Sequence, residues 1–153
     1  MKAFALIFAL VLADQLSKWA TEALLPLQER FGIAPFFLYR TYNDGIAFSL
    51  FSGAGPWPLI ALALVVMGVV IWMWRSTPPE RTLSHVAFAL IIAGAIGNVI
   101  DRARLGYVID MFLFDLEFWS FAVFNVADTW ITFGAALILL DEFLAWRRGR
   151  AAS

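Results

Sequence analysis

The sequence predicts a mainly α-helical membrane protein: a bundle of four transmembrane helices with a small β-hairpin at its outer surface. Three observations predict it. Of 153 residues 62% are hydrophobic and only 15% charged, against about a quarter charged in a soluble domain, and the mean hydropathy is +0.80. Four apolar stretches, at about 3–25, 56–74, 83–102 and 124–146, are long enough to cross a bilayer. Between the first two lies a run of strand formers, Phe36–Tyr42, closed by the turn signal Asn43-Asp44-Gly45. The length suits one membrane domain spanning 1–153, with outer surface segments at about 26–55 and 103–123. A net charge of −1 without a basic tract gives no footing for nucleic acid. With no cysteine and only His85, thiolate nucleophiles, Cys-based zinc sites and sites needing two histidines are excluded.

The first stretch opens with the apolar run Ala3–Ala13. It reads either as a signal peptide cleaved after Ala13 or as the start of a helix carrying Asp14 and Lys18 on one face, four residues apart. Those two form either an interfacial salt bridge or a polar prop for a nearby site. Beyond the Asn43 turn, Ile46–Phe51 reads as a returning strand. Asn43 is either a turn residue or a holder of substrate backbone. Pro56 and Pro58 start the second helix, and Trp72 and Trp74 suit its far interface. Ala93, Gly94 and Gly97 make the third stretch suited to close helix contact. At its end Asn98, Asp101 and Arg102 share a face, with an Asp101–Arg102 ion pair as the expectation. Gly106 then breaks the helix. Tyr107-Val108-Ile109 is strand-like, while Asp115 and Glu117 alternate with apolar residues as in a surface segment. In the last stretch Asn125 and Asp128 are three apart and face the same way.

Basic residues set the orientation. Lys2, Arg75, Arg81, Arg147, Arg148 and Arg150, six of the eleven, fall in very short flanks on one side, which is therefore cytoplasmic. Both termini are then inside, and the Asn43 turn and the acidic stretch Gly97–Asp128 are outside. A carboxylate inside a span costs about 2.5–3.5 kcal/mol, so Asp101, Asp110 and Asp128 need a reason. Two of them, Asp110 and Asp128, fall at the outer membrane edge, joined by a segment able to bring them together. Paired carboxylates share a proton and can activate water for attack on a peptide carbonyl.

Five blocks in order, DQLSK (Asp14–Lys18), NDGIAF (Asn43–Phe48), GNVIDR (Gly97–Arg102), GYVIDMF (Gly106–Phe112) and FNVAD (Phe124–Asp128), resemble the lipoprotein signal peptidases, bacterial intramembrane aspartic proteases (signal peptidase II). The resemblance implies four transmembrane helices, an outer β-cradle and a catalytic pair at Asp110 and Asp128. Supporting residues map onto Asp14, Asn43, Asn98, Arg102 and Asn125, with Asp101 and Lys18 structural. It argues against cleavage after Ala13, because the family keeps its first helix. Met111 departs from the aromatic residue more usual after the first Asp, which should alter packing rather than chemistry. The implied reaction, in the bacterial inner membrane, is hydrolysis of the bond before the diacylglyceryl cysteine of a prolipoprotein. No cofactor or metal is implied; the partners are the substrate and membrane lipids, and the chain is expected to be monomeric. Three other readings stay open from the residues alone: a proton-coupled transporter using Asp14, Asp110 and Asp128 as a relay, a divalent-cation site on Asp101, Asp110 and Asp128, and a purely structural membrane protein, which leaves Asn98, Asn125 and two Asp residues without a reason.

Overall fold

The computed structural model describes residues 2–45, 55–116 and 118–151. Its elements are α1 (Lys2–Leu24), β1 (Arg30–Ile33), β2 (Phe36–Asn43), α2 (Pro56–Ser76), α3 (Thr82–Leu105), β3 (Val108–Leu116), β4 (Trp119–Ser120) and α4 (Val126–Ala151). All four helices are long and apolar enough to cross a membrane. The expected return strand Ile46–Phe51 and residue Glu117 lie outside the described residues.

Helix α3 is the axis of the bundle. It packs on α1, α2 and α4, and half of its most apolar stretch is buried, against 11–17% for the other three. Small residues permit this. A Cβ on Gly94 would run into the Ala127 carbonyl of α4, and one on Gly134 would lie 2.7 Å from the Ala87 carbonyl of α3. Lipid tails are as apolar as leucine side chains, so such close backbone approach is what holds helices together in a bilayer. Gly106 ends α3 in the left-handed conformation, at φ 87°, its N–H returning to the Arg102 carbonyl. The predicted break at that glycine is therefore a helix C-cap.

The sheet has the order β1-β2-β3-β4, antiparallel throughout. It joins the two surface segments that the sequence separates. Strand β2 pairs on one side with β1, through the Ala34–Pro35 turn, and on the other with β3. The strand character expected at Tyr107–Ile109 extends to Leu116, taking in Asp115, which pairs with Arg30. The β2–β3 register sets Thr41 opposite Asp110 and Asn43 opposite Val108. Arg40 donates to the Glu22 and Leu25 carbonyls, each 3.1 Å away, fastening the sheet to the open end of α1.

Candidate active site

Three helix or strand ends meet where the sheet joins the bundle: the start of α4, the end of α3 and the start of β3. At α4 the chain leaves Phe124 extended and Asn125 caps the helix. The Asn125 side-chain oxygen accepts the Asp128 N–H at 2.9 Å, and Asp128 Oδ2 accepts the Asn125 N–H at 3.2 Å. This reciprocal capping box satisfies two backbone donors that a helix start leaves open. It also fixes Asp128 in the first turn, with Oδ1 free to accept from Asn98 Nδ2 at 2.8 Å.

Asp110 arrives from β3 and is 1% exposed. Its Oδ1 accepts from Asn125 Nδ2 at 2.7 Å and its Oδ2 from Asn43 Nδ2 at 2.9 Å. Asn125 thus touches both carboxylates. Burial, then the charge of Asp128, pushes the Asp110 carboxyl from 3.8 up to about 7; the Asn43 and Asn125 amides and Lys18 act against that rise. Asn43 also forms its turn, its Oδ1 accepting the Gly45 N–H at 3.0 Å. Asn43 is thus the turn residue expected, and the turn aims its amide at Asp110.

A charged layer lies behind the amides. Lys18, 2% exposed, has three N–H donors and three acceptors: Asp14 Oδ2 at 2.9 Å, Asp101 Oδ2 at 2.7 Å and Asn98 Oδ1 at 3.1 Å. Asp14 and Lys18 are consequently a buried prop, not an interfacial pair. Asp14 Oδ1 accepts the Ala127 N–H at 2.9 Å, closing a further open donor of α4 from a helix 113 residues away in sequence. The expected Asp101–Arg102 pair is not formed. Asp101 turns instead to Lys18 and to Gln15 Nε2, 2.9 Å away, because adjacent helix residues do not face each other. Nor does Asp101 join Asp110 and Asp128 as a cation site would require. Among the described residues no three of His, Cys, Asp or Glu come together as metal ligands.

Arg102 instead reaches the Gly45 carbonyl through Nη2 at 2.6 Å, while its buried Nε has no partner among the described residues. It shares with Asn43, Asn98, Asp110 and Asp128 the lining of a cavity of about 880 Å³. All seven residues expected in the catalytic and supporting set therefore converge, with Lys18 and Asp101 behind them. Gln15 carried no expectation. It lies inside the DQLSK block, but its bond to Asp101 across the α1–α3 contact depends on helix packing that a sequence does not display.

Comparisons with known proteins show the family and the fold. The family model described as signal peptidase (SPase) II matches residues 6–144. A lipoprotein signal peptidase of Sinorhizobium fredii is 49% identical over 146 residues, covering 95% of this chain and 88% of the relative. One of Brucella ovis is 49% identical over 141 residues, covering 92% and 88%. Two solved structures, each of a bacterial membrane enzyme determined by the in meso method, share the fold at TM-scores of 0.83 and 0.79. Both are 24% identical to this chain, covering 93% and 91% of it and 87% and 90% of their own chains.

Proposed function

This chain belongs to the signal peptidase II family and is a multi-pass membrane protease that removes signal peptides from prolipoproteins, and we propose that Asp110 and Asp128 carry out its chemistry. The observation that carries the assignment is Asn125. One residue donates to both carboxylates, through its amide to Asp110 and its backbone N–H to Asp128, and both carboxylates line a cavity large enough for a peptide.

In the proposed mechanism Asp110, whose carboxyl is raised to about 7, carries the shared proton in the active form. The Asp128 carboxylate takes a proton from a water as its oxygen attacks the scissile carbonyl. Asp110 gives its proton to the carbonyl oxygen, forming the tetrahedral gem-diol. The proton on Asp128 then passes to the departing amine, the C–N bond breaks, and a hydroxyl proton returns to Asp110. The bond cut is the one before the diacylglyceryl-modified cysteine. Asn43, Asn98 and Asn125 fix the two carboxyl groups, Arg102 lines the cavity as a donor for a substrate carbonyl, and Asp14 steadies the start of α4.

A lipid-anchored cysteine keeps its acyl chains in hydrocarbon while its peptide bond must meet water. A pair at the helix ends suits that demand. The positions of the basic residues support cytoplasmic termini and a site facing the outer side of the inner membrane. The transporter alternative finds no support: the relatives are named as peptidases, and Asp14, Asp110 and Asp128 all meet at one end of the bundle. The test is Asp110→Asn and Asp128→Asn, purified in detergent with the melting behaviour of the parent. Each is expected to leave a diacylglyceryl prolipoprotein uncut; full activity in either would remove it from the reacting pair.

A further inference from the structure

Two apolar arms leave the carboxylate pair in different directions. The first belongs to the large cavity and runs along α2, where Leu59, Leu62, Ala63 and Val66 form one helical stripe. The seven helical steps from Leu59 to Val66 make that stripe about 10 Å long. The second is a separate groove of about 520 Å³ on one face of the sheet. Strand alternation builds it, since Phe36 pairs with Phe114 and Leu38 with Phe112, and all four side chains leave the same face. Phe31, opposite Leu38, extends it onto β1.

This face is apolar yet open. Phe36 is 68% exposed, and Leu38 and Phe31 are 41% exposed each. At its inner end it is continuous with the site, for Phe124 and Thr129 line both cavities. Phe124 is held there. Its carbonyl accepts from Met111 at 3.0 Å and Phe112 at 2.8 Å, and its ring lies 5.5 Å from that of Phe112. On β3, Asp110, Phe112 and Phe114 alternate onto one face, so the groove begins on the strand that carries Asp110.

The substrate under the proposed function also has two apolar branches that part at the scissile bond: the signal peptide on one side and the acyl chains on the cysteine on the other. We propose that the sheet groove between Phe36–Phe114 and Leu38–Phe112 holds an acyl chain of the lipidated cysteine, leaving the α2 stripe to the signal peptide. The inference rests on that functional reading. A chain moving from bilayer to groove leaves one hydrocarbon setting for another, so the groove adds little affinity. Its contribution is positional: it draws the cysteine to a fixed distance from the pair, so that the carbonyl before it meets the water.

The test uses the full chain in lipid nanodiscs. A lipopeptide with a diacylglyceryl cysteine, one acyl chain ending in a diazirine, is bound to the Asp110→Asn variant and photolysed. Adducts on Phe36, Leu38 or Phe114, competed by the unlabelled lipopeptide, are expected. Adducts confined to the α2 stripe overturn the proposal, as do adducts that a diazirine-bearing diacylglycerol reproduces and the lipopeptide does not compete, which would make the groove a seat for bilayer lipid. In turnover, Leu38→Trp fills the groove and is expected to lower kcat/KM for a dipalmitoyl substrate by about tenfold to a hundredfold, while a dibutanoyl substrate changes by less than about twofold. Equal effects on the two substrates overturn it. Failure of the parent enzyme to cut either substrate would refute the protease reading instead, and the crosslinks would still map the groove.

Discussion

Replacing Asn43 by alanine should move the alkaline limb of the pH–rate profile upward. Asp110 is raised to about 7 by burial first and Asp128 second, and the Asn43 amide is the largest influence acting the other way. That amide lies 2.9 Å from Oδ2 and favours the ionised form. A pair that works with one proton is active while Asp110 stays protonated, so kcat/KM in the parent enzyme falls as pH rises through about 7. Without the Asn43 donor the proton is held more tightly and the fall comes later. A hydrogen bond to a charged group is worth about 1.5–3 kcal/mol and one pKa unit about 1.36 kcal/mol. The limb should therefore move by about one unit, the lower end, because Asn43 is only half-buried. The assay is kcat/KM on a lipidated prolipoprotein from neutral to alkaline pH, which reports the free enzyme. The infrared band of the protonated carboxyl gives an independent titration. In Asp128→Asn, where turnover is absent, the same band should titrate at lower pH than in the parent, because the second cause of the rise is gone. A parent profile flat through the neutral range, or a limb that moves down in Asn43→Ala, would refute the reasoning.

Lys18→Met leaves Asp14 and Asp101 buried at 0% and 3% exposure without their shared cation. Removing one member of a buried ion group costs about 3–5 kcal/mol, which thermal unfolding in detergent should register; an unchanged midpoint would argue against the triad. Gly97→Ala places a methyl group on Asp14 Oδ2, costing about 1–3 kcal/mol as overpacking does. Because Asp14 also caps Ala127, activity should drop with stability. Gly106→Ala is the contrast. It meets no atom within 4 Å but sits at φ +87°, so about 1–2 kcal/mol of backbone strain should appear in unfolding while turnover is kept.

The four helices were legible because each is a long apolar stretch whose interruptions are few, and Gly106 marked its own boundary. Strand β2 was legible from its aromatic and β-branched residues. Strand β1 was not. Arg30-Phe31-Gly32-Ile33 has four residues, one of them a glycine at φ +139°, and it is a strand only because β2 lies beside it. Strand β3 was half seen, since its distal end pairs Phe112 and Phe114 with residues 74 and 78 positions earlier. At the site the residue types were legible and the partners were not. Arg102 is the nearest cation to Asp101 in sequence, yet the cation it pairs with is Lys18, a bond fixed by how α1 crosses α3. The two acids at the membrane edge could be paired on chemistry alone. That Asn125 serves both needed the turn from β3 into α4.

The order of charges and amides in this network explains why a lysine can support the pair without spoiling it. Lys18 in direct contact with Asp110 or Asp128 would favour both carboxylates ionised and drive off the shared proton. Instead its ammonium ends on the Asn98 carbonyl oxygen, and the other end of that amide donates to Asp128. Among the described residues the remaining donors to the pair are Asn43, Asn125 and one backbone N–H, none of which titrates. Amides hold geometry without offering a competing proton. The cation sits one residue back, bridging Asp14 and Asp101, whose own bonds reach the Ala127 N–H and, at 3.4 Å, the Ile109 N–H. Those two N–H groups flank Asp128 and Asp110 in the chain. The buried ion group therefore fastens the backbone on either side of the pair, and the amides between them set where the carboxyl oxygens point.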